Sequence, residues 1–272
     1  MIPFSKAHAC GNDFLVVTEE AAGGQDWAQL TQRLCARNTG VGADGIEFFA
    51  WTGEKAGRIR LHNADGSIAE ISGNGTRCVA AWMAREINAQ AGDELTITTD
   101  AGPRVCRINA LSAAGEYTVQ VTTGMGVPIF RRRTVTMPAG VQVEGVEVNT
   151  GNPHFVILVD NPEFKVQGQS WQSVGQQICF HPDFSHQTNV EFVRKVSATE
   201  IEIRIFERGV GPTSSSGTGS SATATASLAF FGCASPLTVV APGGPQTVHW
   251  EGAQSELKLT GPASLIARGE AW

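Results

Sequence analysis

The alternation of apolar and polar positions in the first half of the chain predicts short strands and two helices. The predicted strands fall at 11–18, 46–49, 58–63, 95–99, 105–109 and 117–122. A helix over 26–37 has its apolar side chains at helical spacing behind Asp26, a residue type that caps helix N-termini. After Gly73, a second helix over 76–88 carries its apolar residues on one face.

The second half of the chain repeats the first in the same order. Gly151-Asn152 stands 140 positions after Gly11-Asn12, and each pair precedes an apolar run. The segments 189–192 and 216–219 stand 144 positions after 45–48 and 72–75, which they resemble. Three matches at nearly one offset indicate a duplication, and a period this long that occurs twice predicts two similar domains with a ligand in the cleft between them.

Composition excludes several classes of protein. The 272 residues are 42% hydrophobic and 17% charged, which is typical of a globular protein with a substantial core. The formal charge of −6 gives no reason to expect nucleic acid or an anionic membrane as a partner. The six cysteines are scattered without the spacing of a zinc site, and no signal peptide or membrane span is found, so we expect reduced thiols in a cytoplasmic protein.

Two further patterns are set aside. The segment 40–45 fits a GxGxxG pattern, but it follows a helix and precedes a strand, which is the reverse of a dinucleotide-binding site. The triplet 131–133 is all arginine, which in an acidic protein is typical of a solvated face.

The repeated turns carry the candidate chemistry. Ser72-Gly73-Asn74-Gly75 and Ser216-Gly217-Thr218-Gly219 each open a helix with a hydroxyl and two glycines. The glycines let a ligand approach bare backbone, and a helix N-terminus offers N–H groups and a partial positive charge to a carboxylate. Two such turns across a cleft would hold a small acid, whereas either turn alone could be purely structural.

Six motifs together resemble the diaminopimelate epimerase family over nearly the whole chain. They are 8–14 (His-Ala-Cys-Gly-Asn-Asp-Phe), 63–67 (Asn-Ala-Asp-Gly-Ser), 72–78 (Ser-Gly-Asn-Gly-Thr-Arg-Cys), 151–154 (Gly-Asn-Pro-His), 189–193 (Asn-Val-Glu-Phe-Val) and the stretch 207–219 that begins Glu-Arg-Gly. The resemblance implies an isomerase that uses no cofactor and no metal. In that family one group removes the α-proton of an amino acid and another returns a proton from the opposite face.

The resemblance also implies a set of substrate-binding residues. Those with binding side chains are Asn12, Asn63, Asn152, Asn189, Glu207 and Arg208, and those of the two anion-binding turns are Gly73, Asn74, Gly217 and Thr218. In the family, the glutamate and arginine hold the distal end of diaminopimelate. Without the resemblance, Glu207 and Arg208 would be interpreted as a surface ion pair.

The family's acid and base are two cysteines, and both positions are serine here. We therefore assign Ser72 and Ser216 as the candidate catalytic residues. A thiol has a pKa near ~8.5 that a helix N-terminus can lower, whereas a serine hydroxyl needs an adjacent base. His8, Cys10 and His154 are the nearest alternative bases, each of which also fits a structural role.

The resemblance implies an α+β fold of two pseudo-symmetric domains, each a β-rich layer or barrel around a central helix. We expect the N-terminal domain to span 1–114, with 262–272 returning to it, and the C-terminal domain to span 115–261. A homodimer is expected because several family members are dimers.

The leading hypothesis is inversion of the α-carbon of LL-diaminopimelate to the meso form, in the synthesis of lysine and peptidoglycan precursors. A second hypothesis keeps the fold but makes the chain an isomerase or dehydratase of another small amino or hydroxy acid that uses serine. A third is a descendant that binds an amino acid without chemistry. A fourth is that both serines were introduced to trap substrate, although neighbouring serines at 214, 215, 220 and 221 are typical of a native serine-rich segment.

Overall fold

The computed structural model describes residues 1–112, 117–137 and 140–272, which form two compact units. Unit 1 comprises Met1–Gly124 and Thr260–Trp272, and unit 2 comprises Met125–Leu259. The boundary predicted between residues 114 and 115 lies outside the described residues. The structure divides the chain after Gly124, and the C-terminal segment that belongs to unit 1 begins at Thr260.

Unit 1 is a closed barrel of eight strands. They are β1 (Ile2–Ala9), β2 (Asn12–Thr18), β3 (Gly45–Gly53), β4 (Ala56–Asn63), β6 (Glu94–Thr99), β7 (Gly102–Ser112), β8 (Tyr117–Gly124) and β17 (Lys258–Ala271). Each pairs with the next in that order, and β17 pairs with both β8 and β1, which closes the barrel. The two-residue strand β5 (Ile68–Ala69) adds to β4.

The helix α3 (Gly73–Glu86) fills the interior of this barrel. Every residue from 73 to 84 is buried, which is the burial expected of a helix enclosed on all sides. Ser72 caps α3, because its Oγ accepts a hydrogen bond from the Gly75 N–H at 3.0 Å. The predicted helix over 76–88 is confirmed, and the cap explains why it begins three residues earlier.

Unit 2 repeats this plan around a second helix. Its strands are β9 (Ile129–Thr136), β10 (Gln142–Asn149), β11 (Pro153–Val159), β12 (Asn189–Lys195), β13 (Glu200–Glu207), β14 (Gly211–Thr213), β15 (Leu237–Ala241) and β16 (Gly244–His249). The helix α5 (Gly217–Phe230) is capped by Ser216, and residues 217–227 are buried. Much of α5 is serine, threonine and alanine, and its hydroxyls donate to carbonyls three or four residues back.

The strand register confirms the repeat seen in the sequence. Phe14 is opposite Gly45 in a parallel pair of strands, as His154 is opposite Asn189. One strand further on, Phe48 is opposite Arg60 and Phe192 is opposite Arg204 in antiparallel pairs. Because each unit is a β layer around a buried helix, the predicted α+β fold is confirmed.

Three shorter helices lie outside these central ones. They are α1 (Glu19–Ala22), α2 (Trp27–Cys35) and α4 (Trp171–Cys179). Asp26 caps α2 as predicted, since its carboxylate accepts from the N–H groups of Ala28 and Gln29. Within the described ranges, no helix is long and apolar enough to cross a membrane.

The arginine triplet at 131–133 lies on β9 and is engaged within unit 2. Arg131 and Arg133 form ion pairs with Glu147, while the guanidinium of Arg132 lies 4.7 Å from the ring centre of Phe230. These contacts support the interpretation of a solvated face.

Candidate active site

The first candidate turn of the site is the start of α3. The Ser72 carbonyl accepts from both the N–H and the hydroxyl of Thr76, each at 2.8 Å. Together with the Gly75 bond to the Ser72 hydroxyl, these contacts fix the turn around Gly73 and Asn74. The first turn of α3 therefore presents backbone N–H groups at the positive end of the helix dipole.

Asn74 connects this turn to the start of β2. Its Nδ2 donates to Oδ1 of Asn12 at 3.1 Å, and its Oδ1 accepts from Arg77 at 2.6 Å. Nδ2 of Asn12 donates to the carboxylate of Asp44 at 2.6 Å. Two residues predicted to bind substrate, Asn12 and Asn74, are thus brought into contact.

Arg77, which lies on α3, is the largest of the fully buried side chains in the described residues. Burial lowers the pKa of its guanidinium, and a hydrogen bond with Cys10 opposes that shift. Cys10 itself has a φ of 52°, in the left-handed region that forms the tight turn between β1 and β2. Arg77 was not singled out from the sequence.

Asn63 lies at the end of β4, opposite Gly45 on β3. Its side chain donates to Oγ of Ser67 at 3.1 Å. The next residue, Ala64, donates its N–H to the carbonyl of Asp44. Asp44 therefore accepts hydrogen bonds both from the backbone beside Asn63 and from the side chain of Asn12.

The second candidate turn of the site is the start of α5. Oγ of Ser216 accepts from the Gly219 N–H at 3.1 Å and lies 3.3 Å from the Thr218 hydroxyl. Nδ2 of Asn152 donates to that Thr218 hydroxyl at 3.4 Å. Three predicted site residues of unit 2, Ser216, Thr218 and Asn152, therefore form one hydrogen-bonded chain.

The same chain continues into the interior of unit 2. Oδ1 of Asn152 lies 2.7 Å from Nε2 of His154, and Nδ1 of His154 lies 2.7 Å from Oε1 of Glu191. Burial raises the pKa of Glu191, although the neighbouring His154 opposes the shift. Both ring nitrogens of His154 are thus engaged within unit 2.

Asn189 holds the start of the Glu207-Arg208 segment. Its Oδ1 accepts from the backbone N–H of Arg208 at 2.8 Å, and its Nδ2 donates to the Pro153 carbonyl at 3.1 Å. The Arg208 guanidinium, which is exposed, donates to the carbonyl of His186 at 2.9 Å. Glu207 is half-buried at the end of β13. The unit 2 residues predicted to bind substrate thus surround one end of the barrel strands.

Sequence reasoning did not select two buried glutamates that lie beneath the turns. Glu47 on β3 and Glu191 on β12 are both fully buried. Burial raises the pKa of Glu47 to about 8. The available signal was a single acidic residue inside each of two apolar runs, at the same position of the repeat.

Comparison with known proteins decides the family. The family model described as Diaminopimelate epimerase matches residues 4–129 and 146–266. A diaminopimelate epimerase of Heliobacterium modesticaldum is 34% identical over 287 residues, covering 98% of both chains. One of Moorella thermoacetica is 34% identical over 286 residues, again covering 98% of both. This chain belongs to the diaminopimelate epimerase family.

Solved structures show the same fold at low sequence identity. A predicted epimerase from Pseudomonas aeruginosa has a TM-score of 0.74 at 13% identity, covering 100% of this chain and 99% of that one. A probable proline racemase from Agrobacterium radiobacter has a TM-score of 0.73 at 14% identity, covering 100% and 93%. Family membership makes the chain an amino-acid isomerase of the epimerase and racemase class.

The hydrogen-bond partners of the two serines include no base in the part of the chain that the structure describes. Within the described residues, neither Ser72 nor Ser216 forms a side-chain hydrogen bond with a carboxylate, an imidazole or an amine. Each hydroxyl accepts the capping N–H of its own helix instead. A serine in this setting lacks the adjacent base that would make its hydroxyl reactive.

The alternative bases named from the sequence are engaged in other contacts. Nδ1 of His8 accepts from the Gly11 N–H at 3.3 Å, which is a contact within the β1–β2 turn. Cys10 is buried and hydrogen-bonded with Arg77, and His154 is paired with Glu191 and Asn152. Across the described ranges, no cluster of three or more histidine, cysteine, aspartate or glutamate residues is arranged to hold a metal ion.

Proposed function

We propose that this family member is a diaminopimelate epimerase that inverts one α-carbon of LL-diaminopimelate to give the meso form. The observation that carries the proposal is the hydrogen bonding, around the starts of α3 and α5, of polar residues that the family resemblance assigns to substrate binding. Asn12 contacts Asn74 beside the first helix, and Asn152 contacts Thr218 beside the second. These contacts support a preorganised set of polar groups at the start of each central helix, of the kind that binds amino and carboxylate groups.

The proposed reaction is a proton exchange at carbon that consumes no other reactant. The α-carbon–hydrogen bond breaks at one face, and its electron pair is delocalised into the substrate carboxylate. Helix N-terminal N–H groups stabilise the negative charge that develops on those oxygens. A second group then delivers a proton to the opposite face. Ser72 and Ser216, at the positions of the family's two cysteines, are the proposed groups.

The distal end of the substrate is the basis for proposing diaminopimelate rather than a shorter amino acid. Glu207 and Arg208 are retained, and the Arg208 backbone is held by the side chain of Asn189. A carboxylate and a guanidinium complement the ammonium and carboxylate groups at the far end of diaminopimelate. The proposal extends to a role in lysine and peptidoglycan precursor synthesis, as a cytoplasmic homodimer.

Deuterium incorporation tests the activity. Purified protein is incubated with LL-diaminopimelate in deuterated water, and the α-carbon is followed by mass spectrometry and NMR. The proposal expects deuterium at the α-carbon together with appearance of the meso isomer, both reduced in Arg208→Ala. Absence of deuterium from the wild-type reaction would sink the epimerase assignment.

A second candidate is an isomerase or dehydratase of another small amino or hydroxy acid. It is favoured by the lack of a base bonded to Ser72 or Ser216 within the described residues. Turnover of an unsaturated or hydroxy acid, with none of diaminopimelate, would select this candidate. Tight calorimetric binding of an amino acid without any exchange would select a binding protein.

A further inference from the structure

Two asparagine side chains of unit 1 lie in a row between a guanidinium group and a carboxylate. Arg77 donates to Oδ1 of Asn74 at 2.6 Å, and Nδ2 of Asn74 donates to Oδ1 of Asn12 at 3.1 Å. Nδ2 of Asn12 in turn donates to Oδ2 of Asp44 at 2.6 Å. We call these four hydrogen-bonded side chains the amide row. Each step of the row is a direct contact.

The two ends of the amide row determine the orientation of both amides. The guanidinium of Arg77 can only donate, and the carboxylate of Asp44, which forms an ion pair with Arg37 at 2.7 Å, can only accept. Asn74 must therefore turn its oxygen to Arg77, which leaves its NH2 group for Asn12. The oxygen of Asn12 then faces Asn74, and its NH2 group faces Asp44. Inverting either amide would bring two acceptors or two donors into contact.

The fixed orientation matters at Asn12, which is half-buried, whereas Asn74 is buried. A primary amide has two N–H groups and two lone pairs on its oxygen. The amide row uses one of each at Asn12, so the second N–H and the second lone pair are those that can bind a ligand. An inverted Asn12 would exchange the donor and the acceptor and would oppose the charges of a bound ammonium or carboxylate group.

Packing alone gives a poor account of Arg77. Its side chain is fully buried, and burial lowers the pKa of the guanidinium. The thiols of Cys10, Cys78 and Cys106 oppose that shift, but a thiol is a weak hydrogen-bonding group. Removing a guanidinium from water costs several kcal/mol, and an apolar side chain would fill the same space without that penalty.

Unit 2 shows that a central helix in this fold does not require an arginine at that position. The residue 144 positions after Arg77 is Ser221, which is buried on α5 and donates its hydroxyl to the Gly217 carbonyl at 2.9 Å. Unit 2 orients its own asparagine from a strand instead, because Nε2 of His154 lies 2.7 Å from Oδ1 of Asn152. Each unit thus fixes one candidate binding amide, and the two units use different residues to do so.

We propose that Arg77 is a positioning residue for the reaction, which acts through Asn74 to hold the amide of Asn12 in the orientation that binds substrate. The inference rests on the proposed function of this site. Arg77 exchanges no proton and does not contact the substrate in this role. Its contribution is to remove the alternative orientation of Asn12 before substrate binds.

The kinetic test compares Arg77→Met with Arg85→Met, the same change at an exposed position of the same helix. We expect Arg77→Met to raise KM for LL-diaminopimelate about 10-fold with kcat within about 3-fold, because a disordered binding amide weakens the ground and transition states alike. Rates are referred to the folded fraction measured by circular dichroism, so a loss of stability alone leaves KM unchanged. Arg85→Met should match wild type. Wild-type KM in folded Arg77→Met would overturn the inference and leave the proposed function intact.

A double-mutant cycle tests whether the effect passes through Asn12. Arg77→Met/Asn12→Ala should have the same KM as Asn12→Ala alone, since the orientation of an absent amide has no effect. Additive increases in KM would show that Arg77 acts elsewhere and would overturn the inference.

A measurement without substrate judges the orientation directly. The side-chain NH2 resonances of Asn12, identified by their loss in Asn12→Ala, should form one sharp pair in wild type. Asp44→Asn changes the half-exposed end of the amide row, so it does not depend on tolerance of a change in the core. Arg77 should then hold Asn12 alone, and the pair should stay single and sharp. Doubled or broadened Asn12 resonances in Asp44→Asn would overturn the inference, even where Arg77→Met does not fold. Absence of α-proton exchange in wild type would overturn the proposed function, while these resonances still judge whether Arg77 orients Asn12.

Discussion

Nδ1 of His154 lies 2.7 Å from Oε1 of Glu191, and both side chains are fully buried. Nε2 of His154 faces the amide oxygen of Asn152 at 2.7 Å and therefore donates a hydrogen bond to it. Nδ1 faces the carboxyl group, so each of these two buried ionisable groups has the other as a hydrogen-bond partner.

Phe14 occupies the position of unit 1 that matches His154. The substitution His154→Phe would therefore remove the imidazole that is hydrogen-bonded to the buried Glu191 carboxyl group. We expect His154→Phe to lower the free energy of unfolding by about 3 kcal/mol at neutral pH. The pKa of the unpartnered Glu191 would be raised above its unfolded value, so stability should fall as pH rises through the window between those values. Urea denaturation near pH 5 should therefore show a smaller loss than near pH 8.

The control for that change is His249→Phe at an exposed position, where little effect is expected. An equal loss at both pH values in His154→Phe would contradict the raised pKa expected for Glu191 and leave only a packing effect.

Gly75→Ala tests the close approach of Glu47 to the turn. The added Cβ would collide with the Glu47 carboxyl group, and we expect a loss of about 2 kcal/mol in urea denaturation even though alanine favours a helix. Gly219→Ala should cost less, because its nearest contact is 3.0 Å. Gly24→Ala is the control, since no atom lies within 4 Å of its added Cβ.

The collision predicts a rescue. In a double-mutant cycle, Glu47→Ala should recover part of the Gly75→Ala loss, because it removes the carboxyl group that the new methyl meets. Purely additive losses would show that the Gly75 defect arises elsewhere.

Much of the fold was predictable because it depends on local chemistry. The apolar face behind Gly73, the Asp26 cap and the repeated Ser-Gly-x-Gly turns each specify a local structure that the chain adopts. Family membership and the α+β fold followed from motif order. The sequence predicts only where α5 begins, from its Ser-Gly-x-Gly turn. The serines, threonines and alanines that follow show no apolar periodicity from which the rest of the helix could be predicted.

The unpredicted features depend on contacts between distant parts of the chain. β8 belongs to unit 1 because it pairs with β17, more than a hundred residues later. Glu47 lies within an apolar strand, and nothing local distinguishes a buried acid from one that faces solvent. Its burial is decided by α3, which covers the inner face of the barrel. The pairing of Glu191 with His154 likewise requires two adjacent strands from separate segments.

The ionisation of Glu47 should be visible in the stability of the protein. Burial raises its pKa from 4.5 to about 8, so the folded state holds a proton that the unfolded state releases across this window. Stability from this group is therefore highest below about pH 4.5 and falls as pH rises towards about 8. The loss is about 3 kcal/mol between about pH 5 and about pH 7.5.

Glu47→Gln removes that proton linkage. Relative to wild type, the variant should gain stability as pH rises from about 5 to about 8, measured by urea denaturation at fixed ionic strength. A constant difference across this range would mean that Glu47 has an ordinary pKa or is ionised with a partner.

Ser72→Cys/Ser216→Cys restores the two residue types that the family resemblance places in these turns. A thiol at a helix N-terminus forms a thiolate far more readily than a serine forms an alkoxide, because its pKa is near ~8.5 and the helix dipole lowers it further. We expect deuterium exchange into LL-diaminopimelate to rise about 100-fold in the double variant. Ser214→Cys is the matched control, since that serine is exposed and caps no helix. A fall in exchange in the double variant, with the control unchanged, would indicate that the turns are tuned to hydroxyl groups. That outcome would assign the proton transfer to the serine hydroxyls, and it would separate this chain's chemistry from the thiol chemistry of its family.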